Sequence, residues 1–180
     1  MSRHPFLVDV ALLLHQPGKN RREDRRGAIP DLGVSGSAVP EGAEVEVDVR
    51  LESAGSGILA TGVVRAPWEG QCRRCLAPAQ GEVRAAVREL FEEGGDAETT
   101  YPLSGDRLDL EPLGHDAVLL ELPLAPLCRP DCKGLCPACG ADRNAVGCGC
   151  DTALVDPRWA ALDQLRGDTA PGSRRPGEKP

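Results

Sequence analysis

The chain has 180 residues and a formal net charge of −7, which argues against a protein that grips nucleic acid by bulk electrostatics. Aromatic residues make up only 3% of the chain, whereas it holds 16 prolines, 21 glycines and 8 cysteines. Because large rings usually dominate the energetics of a core, this composition indicates that disulfides or a bound metal supply part of the stability.

The start of the chain bears on the choice between disulfides and metal. The apolar run over residues 6–14 is broken by Asp9 and followed by a polar segment, so it predicts a strand and not a secretory signal. No run approaches the roughly 18 apolar residues that span a bilayer. We therefore expect a cytoplasmic protein with no membrane partner, in which cysteine pairs bind metal or act in redox chemistry more often than they form disulfides.

The middle of the chain has the alternation of a β-sheet. Residues 19–26 (KNRREDRR) are strongly charged and are interpreted as an exposed turn. Residues 44–53 alternate apolar and charged side chains, and residues 58–66 return after a glycine-rich reversal as the second strand of a hairpin. A third strand is predicted at 82–88. The pair Cys72 and Cys75 then falls at the turn between the second and third strands.

A helix follows a loop predicted at residues 94–106. The period changes at about residues 110–122, where Leu113, Ala117 and Leu120 share one face, Asp109 is placed to cap the start and Pro123 to end the helix. We expect these three apolar residues to be buried.

The C-terminal part differs in kind. Residues 128–150 hold six cysteines and no apolar periodicity, so they cannot fold by burying a core. A short helix is expected at 157–165 and a disordered tail at 167–180. The predicted fold is therefore α+β. An antiparallel β-sheet domain with one or two helices occupies 1–127, and a cysteine-rich zinc module that Cys72 and Cys75 join occupies 128–166.

The cysteines are spaced like the ligands of structural zinc sites. Zinc prefers four tetrahedral thiolate or imidazole ligands, and a two-residue spacer lets one turn present two of them. Two ions are favoured over one. The preferred division is one site from Cys72, Cys75, Cys128 and Cys132 and another from Cys136, Cys139, Cys148 and Cys150.

Other readings of the cysteines stay open. Cys72 and Cys75 alone would suit a redox pair, although such pairs usually open a helix in a βαβ unit. The even cysteine number allows disulfides. A single well-formed zinc site is also possible, because sequence alone cannot assign ligands when pairs can be exchanged.

Charged residues suggest two kinds of partner. Five basic residues lie within or beside the cysteine turns, where they neutralise thiolate charge or face RNA phosphates: Arg73, Arg74, Arg129, Lys133 and Arg143. Residues 82–121 hold eleven Asp or Glu against three Arg, which suits a basic protein.

The motifs together resemble a known family. The Cys72-Arg-Arg-Cys75-Leu-Ala-Pro turn after a strand, the Pro-Leu-Ala-Pro-Leu lead-in over 123–127 and the Cys128 to Gly140 run are similar to the YceD family, the large ribosomal RNA subunit accumulation proteins. The resemblance covers roughly residues 5–166. It implies a role in large ribosomal subunit biogenesis, through accumulation of its rRNA.

Three functions follow as hypotheses. The first is a non-enzymatic factor that binds large-subunit rRNA or a ribosomal protein and takes no small-molecule substrate. The second is a zinc-stabilised protein- or DNA-binding module in transcription, although neither predicted helix is rich in the side chains that read bases. The third is a thiol redox protein or metal enzyme. The sequence holds no phosphate-binding loop, no nucleophile elbow and no histidine paired with a nucleophile, so we expect no enzyme.

Overall fold

The computed structural model describes residues 4–14, 16–55, 57–94 and 99–150, and its chain divides into two compact units, Met1–Gly134 and Leu135–Pro180. The predicted helix at 157–165 and tail at 167–180 lie outside the described residues. Cys128 and Cys132 belong to the first unit. The boundary between the units therefore falls seven residues later than the boundary between the two domains drawn from the sequence.

The described part of the first unit is one curled, mixed sheet with two helices, so the predicted α+β class is confirmed. The path along the sheet is β1-β8-β7-β6-β5-β4-β2, and β3 pairs with β5 beside it. The strands are β1 Leu7–Asp9, β2 Asn20–Gly27, β3 Ser37–Ala38, β4 Val45–Ala54, β5 Gly57–Gln71, β6 Pro78–Glu92, β7 Tyr101–Ser104 and β8 Arg107–Asp109, and the helices are α1 Ala11–Leu14 and α2 Glu111–Glu121.

The central strands follow their apolar alternation. In β4 every second residue from Val45 to Leu51 is buried, and the intervening charged residues form the opposite, wetter face. Strands β5 and β6 pair antiparallel along their whole 15-residue lengths, from Gly57 opposite Glu92 to Gln71 opposite Pro78. This long pair ends where the Cys72 turn begins, so the sheet itself carries the first cysteine pair.

Helix α2 covers the apolar face of β5 and β6, but its buried face differs from the prediction. Leu113 and Val118 are buried, whereas Leu120 is 86% exposed, so the expectation that Leu120 belongs to the core is wrong. Leu122, the residue that follows the helix, is buried instead. The N-cap residue is Leu110, which makes no side-chain capping hydrogen bond, so the prediction that Asp109 caps the helix is wrong. The Asp109 carboxylate, one residue earlier, accepts a hydrogen bond from the Glu111 N–H at 2.9 Å.

Three segments differ from the sequence predictions. The charged segment 19–26 is not a turn: residues Asn20–Gly27 form the edge strand β2, antiparallel to β4. The apolar run 6–14 is strand β1 followed by the short helix α1. The predicted loop 94–106 contains β7, which pairs parallel with β6 at Phe91 and Glu92, so the sheet is mixed and not purely antiparallel.

The misassigned edge strand has a plain physical explanation. Its side chains compensate one another across the ladder, as in the ion pairs of Arg22 with Asp48 at 2.7 Å and of Arg26 with Glu46 at 3.3 Å. Alternating charge of both signs resembles a solvated loop in sequence. Cross-strand ion pairs accommodate it in a sheet, as does an outer edge that no other described strand pairs with.

Candidate metal centres

The first cluster of cysteines combines residues that lie far apart in sequence. The Sγ atoms of Cys72, Cys75, Cys128 and Cys132 all lie within 4.8 Å of one another. Cys72 Sγ is 3.8 Å from Cys132 Sγ, and Cys75 Sγ is 3.6 Å from Cys128 Sγ. A disulfide would need about 2.05 Å. A tetrahedron with Zn–S bonds of about 2.3 Å has edges of about 3.8 Å, so the spacing fits zinc.

The turn that joins β5 to β6 presents the first two sulfurs. The N–H of Cys72 donates to the carbonyl of Ala77 at 2.8 Å, and the N–H of Leu76 donates back to the carbonyl of Cys72 at 2.9 Å. Leu76 has a φ of +63°, a left-handed conformation that favours glycine. The residue after the second cysteine must therefore turn sharply, which directs backbone N–H groups toward the sulfurs.

The segment after α2 brings the other two sulfurs to this turn. Ser37, which is buried, donates a hydrogen bond to the carbonyl of Pro123 at 2.9 Å. Gly36 lies so close that a Cβ there would meet the carbonyl oxygen of Leu124. The N–H of Arg73 donates to the carbonyl of Pro126 at 2.9 Å. The chain is thus fixed to the sheet just before it reaches Cys128.

The second cluster is local and lies in the second unit. The Sγ atoms of Cys136, Cys139, Cys148 and Cys150 lie within 4.8 Å of one another. The first pair sits on a turn with the same hydrogen bonds as the turn at Cys72: Cys136 N–H to Ala141 carbonyl and Gly140 N–H to Cys136 carbonyl, both at 2.8 Å. Gly140 has a φ of +72°, close to that of Leu76 in the first turn.

One thiol in each cluster has a pKa below the ordinary value of a cysteine. At Cys72 burial opposes ionisation, but the backbone N–H groups of Cys128, Cys75 and Arg74 outweigh it, and its pKa falls to about 6. At Cys136 the N–H groups of Cys139 and Ala138 lower the pKa to about 6. Backbone donors in each cluster therefore stabilise one thiolate without help from a cation.

Cys128 in the first cluster and Cys150 in the second resist ionisation because they lie against neighbouring thiols. The hydrogen bond to Cys75, with desolvation second, raises the pKa of Cys128 to about 12, and the hydrogen bonds to Cys139 and Cys136 raise the pKa of Cys150 to about 12. Four thiolates cannot coexist at this spacing without a cation. A divalent metal removes that repulsion and deprotonates its thiol ligands. The donor set of each cluster thus fits a metal ion.

The basic residues singled out in the sequence separate into two groups. Arg73, Arg74, Arg129 and Lys133 are exposed beside the first cluster, whereas Arg143 is exposed in the second unit. Arg74 also has a structural contact that sequence reasoning missed, because its guanidinium donates to the carbonyl of Cys132 at 2.8 Å. Arg129 forms an ion pair with Asp131 at 3.4 Å.

Comparison with known proteins agrees with this arrangement of sheet and cysteines. The model of the family described as large ribosomal RNA subunit accumulation protein YceD matches residues 60–166, a span that contains all eight cysteines. The chain belongs to the YceD family.

Relatives extend the match over almost the whole chain. An uncharacterised protein of Mycobacterium tuberculosis is 39% identical over 94% of this chain and 87% of its own length. A maize chloroplast protein named large ribosomal RNA subunit accumulation protein YCED homolog 1 is 28% identical over 80% of this chain and 61% of its own length. The Bacillus subtilis protein YlbN is 25% identical over 92% of this chain and 90% of its own length. No solved structure matches significantly. Within the described ranges, no helix is long and apolar enough to cross a bilayer.

Proposed function

We propose that this protein is a non-enzymatic factor in large ribosomal subunit biogenesis, which supports accumulation of large-subunit rRNA by binding that rRNA or a ribosomal protein. The match of residues 60–166 to the family carries the proposal, together with the name of the maize relative. Both cysteine clusters fall within the matched residues. The functional part of the chain is therefore the part that the two clusters organise.

Each cluster binds one zinc ion in this proposal. Thiolates select zinc among the common divalent ions, and four of them complete its tetrahedral shell. A closed shell leaves no position for the water or substrate that a catalytic zinc must hold. Two such sites lower the formal charge of the protein from −7 to about −11, since each contributes about −2. The role of the metal is to hold ligand segments in place.

The first cluster presents the basic surface of the proposal. Arg73 and Arg74 extend from the turn between β5 and β6, and Arg129 and Lys133 extend from the segment that carries the other two ligands. Four cations around one site compensate thiolate charge, and their exposed side chains place positive charge at the surface, which attracts phosphates. This surface is the proposed contact with rRNA, despite the acidity of the whole chain.

The proposal is tested by depleting the protein and separating ribosomal particles on a sucrose gradient. We expect large-subunit particles and their rRNA to fall relative to small subunits, and the tagged protein to co-sediment with large-subunit precursors at moderate salt. An unchanged gradient profile after depletion would contradict the proposal.

Charge-reversal variants test the contact itself. Arg73→Glu combined with Lys133→Glu should weaken RNA crosslinking of the tagged protein at least severalfold, because each phosphate contact contributes to affinity. Arg50→Glu combined with Arg107→Glu, which makes the same charge change at exposed residues of β4 and β8, is the matched control and should leave crosslinking unchanged. Equal crosslinking in the two variants would instead favour a ribosomal protein as the direct partner.

A further inference from the structure

A long edge of strand β6 is unpaired within the described residues. Strand β6 is bonded to β5 along Pro78–Glu92, but its other edge meets β7 only at Phe91 and Glu92. No backbone hydrogen bond of the described residues joins the outer edge of 78–90 to another segment. Every second residue there directs its N–H and C=O outward, which is the template for an added strand.

Helix α2 forms the second wall of a groove along this edge. A cavity of about 120 Å³ is lined by consecutive residues of the strand, Ala85, Ala86 and Val87, and by Leu113 and Ala117 of the helix. Ligand pockets for small molecules usually measure about 300–1,000 Å³, so this one suits a single side chain and not a metabolite. The small alanine side chains leave the strand edge approachable from the helix side.

The rim of the groove is acidic and contains an exposed apolar residue. Glu89 of β6 and Asp116 and Glu121 of α2 line it, and Leu120 beside them is 86% exposed. Burial raises the pKa of Tyr101, and the nearby charges of Asp116 and Glu89 raise it further. The groove therefore has a negative potential next to apolar surface.

We propose that this groove receives an extended, basic segment of a partner protein, which adds to the free edge of β6 as a further strand. The backbone of the segment would bond to the strand edge, and alternate side chains would face α2. Lysine or arginine at those positions would meet Glu89, Asp116 and Glu121, and an apolar side chain would contact Leu120.

The chemistry of the rim selects this partner over RNA. The three carboxylates would repel phosphates, whereas they would attract the basic side chains of a protein segment. The inference rests on the proposed function in one respect: that function makes a ribosomal protein the expected partner, and ribosomal proteins are basic. It assigns protein recognition to residues of β6 and α2, and not to the basic residues of the first cysteine cluster.

The test uses the full zinc-loaded protein and a labelled synthetic peptide of alternating lysine and valine, with a peptide of alternating glutamate and valine for comparison. Fluorescence anisotropy should show that the basic peptide binds and the acidic one does not. Glu121→Lys should weaken binding about fivefold to tenfold, since it replaces an attraction by a repulsion at the rim. Glu41→Lys, an exposed residue outside the groove with the same charge change, should leave the affinity within a factor of about two.

Hydrogen exchange identifies the binding mode. The amides of residues 83–88 that face the groove should gain protection only when the basic peptide is present. Equal effects of the two variants, protection elsewhere, or preferential binding of a uridine oligonucleotide at this groove would overturn the proposal. Protection that rises with protein concentration alone would show a second copy on the edge, and would overturn it as well. Each of these results is distinguishable from a failure of the gradient experiment, which does not depend on the groove.

Discussion

At the scale of single residues, the two cysteine turns show how one backbone geometry is made from different sequences. Cys72 and Cys136 each accept and donate the same pair of hydrogen bonds, and the residue after the second cysteine is left-handed in both turns. Glycine takes that conformation freely, whereas leucine does not. Gly140 was recognisable in the sequence as a residue suited to this position, but Leu76 gave no signal of it.

The left-handed position supplies a prediction. Replacing Gly140 by valine forces a Cβ into a strained conformation although nothing lies within 4 Å of it, so the cost is conformational, about 1–2 kcal/mol. Because folding and metal binding are coupled in such modules, zinc affinity at the second site should fall about fivefold to thirtyfold in chelator competition. Gly147→Val is the matched control, since Gly147 has equal space and no positive φ. Equal affinities in the two variants would refute the explanation.

A second residue-scale prediction concerns Tyr101, whose hydroxyl donates to Asp116 at 2.9 Å and whose ring stacks on Phe91. Tyr101→Phe removes the hydrogen bond between β7 and α2 and should lower the free energy of unfolding by about 1 kcal/mol at neutral pH.

The pH dependence of that difference follows from the raised pKa of Tyr101. Its ordinary pKa is near 10.0, and burial together with Asp116 raises it in the folded protein, so the neutral phenol is stabilised there. Its contribution is complete below pH 10 and is lost as the pH rises above 10, where the unfolded state releases its proton. Denaturant unfolding of the native protein and of Tyr101→Phe should show the difference between their free energies of unfolding narrowing above pH 10. A gap that widens there would contradict this assignment.

At the scale of elements, helix α2 shows where periodicity misleads. Leu113 and Leu120 are seven residues apart and share a face in sequence, yet Leu113 is 1% exposed and Leu120 is 86% exposed. The helix ends at Glu121. Leu122, the next residue, has an extended backbone and is buried in the core in place of Leu120. The first turn of a short helix can pack on a sheet while the last turn points away from it. Apolar periodicity in the sequence does not indicate where that happens.

The two leucines give a matched pair of variants. Leu113→Ala should lower the free energy of unfolding by about 2–5 kcal/mol because it opens a cavity in a packed core. Leu120→Ala should change it by less than about 0.5 kcal/mol because the side chain is already in water. Urea denaturation of both variants checks this. Similar losses in the two would mean that α2 is rotated about its axis relative to this structure.

Apolar alternation in the sequence predicted some of the strands correctly and missed others. Apolar alternation located β4, the start of β5 and the middle of β6, since each buries one face. It could not locate β2, whose stability comes from cross-strand ion pairs, nor the parallel contact of β7 with β6, because strand direction depends on the path of an intervening loop.

At the scale of the whole molecule, the preferred division of the eight cysteines put them into two tetrads, and the structure brings the same two sets together. Spacing alone left other divisions open. The deciding contacts are tertiary, because Ser37 and the Pro126 carbonyl fix the segment before Cys128 to the sheet. No short-range pattern in the sequence could have indicated them.

The two tetrads should release zinc at different rates. Cys72 and Cys132 of the first are buried, whereas Cys136 is the only buried residue among those described in the second unit. A chelator should therefore remove the second ion first. A colorimetric chelator should show two phases, and Cys139→Ser should abolish the faster one. The first unit has its own apolar core, so its β-sheet circular dichroism should survive the fast phase. A single phase would contradict unequal sites.

The metal content of the native protein tests the central claim most directly. Native mass spectrometry of protein purified without chelators should show two zinc ions per chain. Cys72→Ser with Cys132→Ser should leave one ion, and Cys136→Ser with Cys139→Ser should also leave one. A native chain that carries no zinc while all eight thiols react freely with a labelling reagent would contradict the account.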